Sequence, residues 1–403
     1  MTYQDGCNIL VALKAETTTG VAVATVTGAQ QLRLNDSPGL NLNRAVVQSE
    51  EKRSDGMKTI GRLGFKTVDG SFSCELSPGG ATDVLLEAVM RGTWATTTAI
   101  TFGSMTSITT GTNEVIAVAG DWVGTQGIRV GDVFRLSNHS TAANNNKNLM
   151  VTAATSLTLS VATNLLTADA SADATGTLTV LRKLINPATP TRRSFNIEQH
   201  DKLIGLSEVY LGCRCVGLNL SCQPGAMVQV QYTFQGLDRN AMVTGTSPFF
   251  TSPTLTTSLG MIADDSSIRF NGALVTDFTG FDLNFQITAN GVPVIGSLTS
   301  PDMFDCDLAV SGTITGLRKD FSNITLYDAE TEFEVSVLLQ ESESEPKSCL
   351  GIFIPRSKFQ SLTAPVGGSD GAKIETKELM IGPKVAATGY DATVAVFSSS
   401  EAP

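Results

Sequence analysis

Histidine is almost missing from this chain: 403 residues hold two, His139 and His200. That leaves little room for a catalytic triad, which needs a histidine beside its nucleophile. No GxxxxGK[ST] motif occurs, and no strand-linked GxGxxG, so no nucleotide cradle is written in the chain. The predicted protein is not an enzyme and takes no cofactor. Tryptophan is as scarce as histidine, with Trp94 and Trp122 alone. Sparse aromatics speak against loops built to grip sugars or receptors. Positive charge is also short. The net charge is −11, which makes phosphate-backbone binding a poor default.

Long apolar runs are absent. None reaches the roughly 18 residues of a spanning helix, so no membrane segment is expected. The opening MTYQDGCNILVALKAETTTG has no basic n-region and no apolar core long enough for a signal peptide. The expectation is a protein made and assembled in the cytoplasm. Seven cysteines, an odd number in a long chain, argue against a secreted disulfide framework. Cys213 and Cys215 with Cys222 lack a CxxC pair and a fourth ligand, so they read as small strand hydrophobes, and no metal site is predicted. Acidic clusters such as Glu341-Ser-Glu-Ser-Glu345 read as a solvated surface.

What is present is Thr, Ser, Val and Gly, a texture of strands and turns. The organising stretch is Gly39 to Leu76. Leu40, Leu42 and Val46 alternate with polar residues on the way in; Phe72, Cys74 and Leu76 alternate on the way out. Period two means one buried and one wet face. Between the two runs lies a charged connection with Gln48, Glu50, Glu51, Lys52, Arg53, Asp55 and Lys58. A connection this long and charged points to contact with another subunit. Residues 81–91 carry apolar positions 84, 85, 88 and 89, an amphipathic helix with Thr82 or Asp83 at its start, Arg91 at its end and Gly92 to close it.

The stretch has an echo. Gly280-Phe-Asp-Leu-Asn284 repeats Gly39-Leu-Asn-Leu-Asn43, and Cys349-Leu-Gly351 repeats Leu211-Gly212-Cys213 in part. The first pair of glycines lies 241 residues apart, Gly212 and Gly351 139. About 100 extra residues therefore sit inside the first copy, and the neutral segment 104–183, with its short strands between turns, supplies most of them. The expected organisation is an N-terminal arm at 1–35, a discontinuous first domain at 36–103 and 184–240, an inserted surface β domain at 104–183, a linker at 241–259 and a second domain at 260–403. The stretch 1–35 reads equally as an arm laid on a neighbouring subunit or an edge strand of its own domain. The second copy places a short helix within 320–328. Its last strands are expected to turn at Gly367-Gly368.

VALKAETTTG (11–20), KTVDGSFSCELSPGG (66–80), DVLLEAVMRGTW (83–94) and the run Tyr210–Leu220 before a Pro-Gly turn resemble the major tail protein, or tail tube protein, of bacteriophages with long non-contractile tails. The resemblance covers roughly 300 residues outside the insert. It implies a mainly β fold: tandem duplicated tail-tube β-sandwich or barrel-forming domains, each with one short helix, plus a small inserted β domain. It implies a structural virion protein that polymerises into stacked rings, a channel for DNA ejected into the host. The partners implied are further copies of itself, a tape-measure protein and a tail terminator or distal tail protein, with double-stranded DNA passing through unbound. A single-domain relative closes a ring of six. Two copies per chain predict a homotrimeric ring with pseudo-sixfold symmetry, a hexameric ring being the alternative.

In that reading Gln48, Glu50, Glu51, Lys52, Arg53, Asp55 and Lys58 stack one ring on the next. Asn41, Asn43, Lys58, Arg62, Lys66, Asp282, Asn284 and Gln286 lie on the barrel and lumen strands. An acidic wall lets DNA slide, and residues 320–403 carry 13 acidic against 6 basic side chains. The competing reading is a free-standing receptor- or carbohydrate-binding virion protein, a fibre, adhesin or capsid decoration.

Overall fold

The computed structural model describes residues 3–162, 164–240, 243–244, 249–341, 347–366, 371–383, 390 and 393–400, with the backbone alone for 243–244. Within them lie three antiparallel sheets and two α-helices. The chain is mainly β, as its Thr, Ser and Val content requires. The Gly367-Gly368 turn and residues 342–345 of the acidic cluster lie outside the described residues.

Eight long strands form one continuous wall. They are β1 (Gly39–Val47), β2 (Arg62–Glu75), β3 (Leu206–Cys222), β4 (Gln229–Gly236), β5 (Phe278–Gly291), β6 (Met303–Leu317), β7 (Cys349–Thr363) and β8 (Ile374–Ile381). Their hydrogen-bonded order is β1-β2-β4-β3-β5-β6-β8-β7. The first four pair in the same order as the last four, and β3 joins β5 across the middle. A second layer lies behind. Ile9–Ala15 pairs with Phe195–Asp201, which pairs with the first half of β3. Correspondingly, Ile262–Phe270 pairs with Phe333–Gln340, which pairs with the first half of β7. Within the N-terminal stretch, residues 9–15 and 30–31 are thus paired inside the chain.

The alternation read from the sequence sets the core. Leu40, Val68, Phe72, Cys74, Leu218, Leu220, Val230, Tyr232, Phe234, Phe281, Leu283, Phe285 and Ile314 point to one side of the wall and are buried there. Helix α1 (Gly80–Met90) seals this core with Leu85, Leu86 and Val89. It starts earlier than the sequence predicts. Gly79 is the cap, at φ 85°, a conformation that glycine alone adopts freely. Asp83 sits in the first turn instead and accepts the Gly79 N–H at 3.3 Å. Arg91 closes the helix in the left-handed region, and the Gly92 N–H reaches the Glu87 carbonyl. Helix α2 (Ser322–Asp328) follows β6 as α1 follows β2, and buries none of its residues.

The two smaller sheets use residues 98–180. They enclose a core of their own, with Phe102, Trp122, Phe134, Leu136 and Leu178. Thr98–Thr101 and Thr177–Val180 pair with each other, so this unit begins before residue 104. Residues 169–173 form a strand against Ile108–Thr110. The unit packs on the second half of the chain: Val133, Met150 and Leu181 meet Leu338 and Cys349. Gly131 lies so close to Phe353 that a Cβ would fall 2.2 Å from the ring. Of the expected linker, the described part is tied down: Phe250 is buried and the Phe249 and Phe250 amides donate to the Glu198 carboxylate.

Candidate assembly surfaces

The outer face of the wall is mostly polar, with Met380 exposed on it. Strand register lines its side chains in rows across the sheet. One row reads Glu75, Gln229, Ser221, Asp282, Thr313, Glu378 and Ser361. The next reads Ser73, Gln231, Asn219, Asn284, Ser311, Met380 and Lys358. Every member is exposed or half-buried. Lys358 is the only basic residue in either row, and it stands at the far edge. The centre is hollowed: Asn219, Asp282, Asn284, Thr313 and Glu378 line a depression of about 330 Å³. The arrangement is chemically quiet, made mainly of neutral amides and hydroxyls with scattered carboxylates, Met380 and one lysine at the edge.

Of the residues singled out from sequence, Asn41, Asn43, Asp282, Asn284 and Gln286 share this face. Asn43 bonds Asp69 across the strand pair. Lys66 departs from the group. Its parity in β2 is that of the buried Val68, and its ammonium meets Asp238 at 2.8 Å on the other side of the wall. Lys58 lies in the connection and Arg62 opens β2, both exposed.

The connection after β1 stands clear of the body. Gln48, Glu50, Glu51, Lys52, Arg53, Asp55 and Lys58 are all exposed. Arg53 meets Asp55 at 2.6 Å and holds its carboxyl below the usual carboxylate range. Met57 and Ile60 are exposed beside them, Ile60 at 94%. The connection from β5 to β6 is similar, with Val292, Val294, Ile295 and Leu298 exposed. Large apolar side chains held in water on loop tips mark contact surfaces.

The wall ends in open edges. Among the described residues no strand pairs with the outer edge of β1. Side chains cover part of it: Gln199 accepts the Leu40 N–H at 2.8 Å and donates to the Leu40 carbonyl at 3.3 Å, and the Tyr210 hydroxyl donates to the same carbonyl at 2.8 Å. The second half of β7 likewise has β8 on one side and no described strand on the other beyond Ser357.

Sequence reasoning missed the joint between the halves. Asp305, buried in β6, is held by Arg214 at 2.6 Å, Arg192 at 2.8 Å and Arg91 at 3.6 Å. Arg214 also reaches Asp302 at 2.9 Å. These partners lie about 90 to 215 residues apart in sequence. Their only local signals are the Arg192-Arg193 pair and an arginine flanked by two cysteines.

A family profile described as Phage tail tube protein matches residues 6–389. No curated protein matches the chain.

Proposed function

The chain belongs to the phage tail tube protein family, whose members are structural and self-assembling, and from that premise we propose that three copies close into a ring and that rings stack into a tube. The pairing order β1-β2-β4-β3 recurs as β5-β6-β8-β7. This recurrence carries the reading of residues 36–240 and 260–403 as two copies of one unit, the first holding an inserted β module. It explains why the wall stops at two open edges. An unpaired edge is a liability unless another strand covers it, and closing the sheet on itself removes it. In the chain, β3 already pairs with β5. The same step between chains sets β7 against β1 of the next copy, and three chains of eight strands give a barrel of 24.

The polar face lines the bore. Its charges are mostly acidic, Asp69, Glu75, Asp282 and Glu378 against Lys358 at one edge, so a DNA duplex is repelled and passes without sticking. The apolar face turns outward onto the second layer and the helices. The exposed connections after β1 and β5, with Gln48–Lys58 at their centre, reach the adjacent ring. The module formed by residues 98–180 lies on the outside. A tape-measure protein fills the bore during assembly, and a terminator or distal tail protein ends the tube.

Electron microscopy of the purified chain tests this. Tubes with a central bore are expected. A variant with Glu50 and Glu51 changed to Lys and Lys52 and Arg53 to Glu should give rings or short stacks. Isolated monomers from the parent chain would overturn the reading.

A further inference from the structure

The joint inside the chain is a template for the joint between chains. Both hairpins carry a bulge toward the tip, after Arg44 in β1 and after Ile287 in β5. Past the bulge, Ala289 pairs with Asp305 and Gly291 with Met303. This stem is covered by the first half of the chain. Ala289, Met303 and Asp305 are 6%, 4% and 5% exposed, packed on Val216 and Leu237 and clamped by arginines. In the first hairpin, Val46 pairs with Leu63 and Val47 with Arg62 past the bulge. That stem is bare: Val46, Val47 and Leu63 are 67%, 62% and 57% exposed. Its charge is basic, from Arg44 and Arg62 with Lys58 in the connection just beyond, and the Arg44 Nε is buried without a hydrogen-bond partner.

The clamp has a counterpart in the second half, where Glu330 stands in the place of Arg192, Ala329 in that of Arg91 and Lys358 in that of Arg214. Arg91 closes α1; Ala329 closes α2, flanked by Asp328 and Glu330. Arg192 stands three residues before Phe195–Asp201; Glu330 stands three before Phe333–Gln340. Glu332 follows. Arg214 comes just after the residue opposite Phe195, and Lys358 just after the residue opposite Phe333. Lys358 meets Glu330 and Glu332 at 3.7 and 3.9 Å, and Arg356 meets Glu332 at 2.7 Å. Asp328 and Glu330 face solvent, the Glu330 side chain at 82%.

We propose that the joint between chains repeats the joint within the chain with its charges exchanged: the bare basic stem of the first hairpin docks on Asp328, Glu330 and Glu332 of a second copy. This rests on the ring reading above and adds to it a rule of pairing. A basic stem is repelled by the arginine clamp of its own half, and an acidic stem by the glutamates, so each junction admits one kind of hairpin. The occupant of the bare stem is another copy of this chain because the complementary charge lies on the same molecule, at the station that the template specifies.

The test uses the full chain. Lys58→Glu with Arg62→Glu, and separately Asp328→Lys with Glu330→Lys, should each raise the protein concentration needed for assembly at least ten-fold while leaving the thermal unfolding midpoint of the monomer in place. Joining all four substitutions in one chain should restore assembly. Normal assembly of either double variant, or no recovery in the fourfold variant, overturns the charge-exchanged joint while the ring reading stands. A parent chain that forms no rings overturns the ring reading, and this joint with it.

Discussion

Asp305 is where single residues hold the halves of the chain together. Its carboxylate is 5% exposed and faces three guanidinium groups. Removing one member of a buried charge cluster leaves the others desolvated and uncompensated, a loss of about 3–5 kcal/mol. Asp305→Ala should therefore lower the urea midpoint of unfolding strongly, and Asp305→Asn, which keeps a hydrogen-bond acceptor, should lower it less. An unchanged midpoint for Asp305→Ala would mean that the apolar patch of Val216, Leu237, Ala289 and Met303 alone carries the joint. The cysteines show the opposite case, in which the sequence was legible at the scale of the residue. Cys74, Cys213, Cys215 and Cys222 are buried free thiols, and burial pushes Cys74 and Cys215 up to about 12. They are small core hydrophobes, as their place in alternating runs implied. The arginine clamp gave no such signal, because a charge cluster assembled by tertiary contact has no period to read.

Elements were legible where burial is one-sided. β1, β2, β4 and β8 alternate because one face meets the core and the other faces water. The helix 80–90 was visible for the same reason. Thr98–Thr101 and Asp169–Asp173 were not. Both are short, mostly exposed and low in apolar residues, and only pairing with a neighbour makes them strands. That pairing matters for the inserted module. Thr98 and Val180 are register partners, and the Ala95 N–H bonds the Lys183 carbonyl at 2.7 Å. The ends of the module are one strand spacing apart, so residues 98–180 can be replaced by a two-residue turn. The cut uncovers Leu338 and Cys349, and Leu338→Thr should be added to keep the new surface wet. The shortened chain is expected to form tubes of smaller outer diameter in electron micrographs. Complete loss of assembly would show that the module is part of the wall's support.

At the scale of the whole molecule, the echo of Gly39–Asn43 in Gly280–Asn284 falls on the outer strands of the two halves, β1 and β5. Gly39 stands opposite Ser71 and Gly280 opposite Thr315. Two short motifs and a length excess led to the expectation of two copies and of a ring of three; the open edges and the charges beside them were beyond the sequence, because only folding brings them into place. Ring number has a test that follows from parity. Take one variant with an acidic first stem (Lys58→Glu, Arg62→Glu) and another with a basic clamp (Asp328→Lys, Glu330→Lys). Each alone sets like charges against each other at every junction. Mixed, the two variants make complementary junctions wherever they alternate. Strict alternation closes around an even ring and fails around an odd one: in a ring of three, at least one junction joins two copies of the same variant. Like charges there cost several kcal/mol. A trimeric ring therefore predicts that the fourfold variant assembles and the mixture of double variants does not. A hexameric ring predicts that both assemble. Recovery of normal tubes from the mixture, with six chains per ring in a reconstruction, would overturn the trimer and with it the reading of residues 36–240 and 260–403 as two positions of one ring.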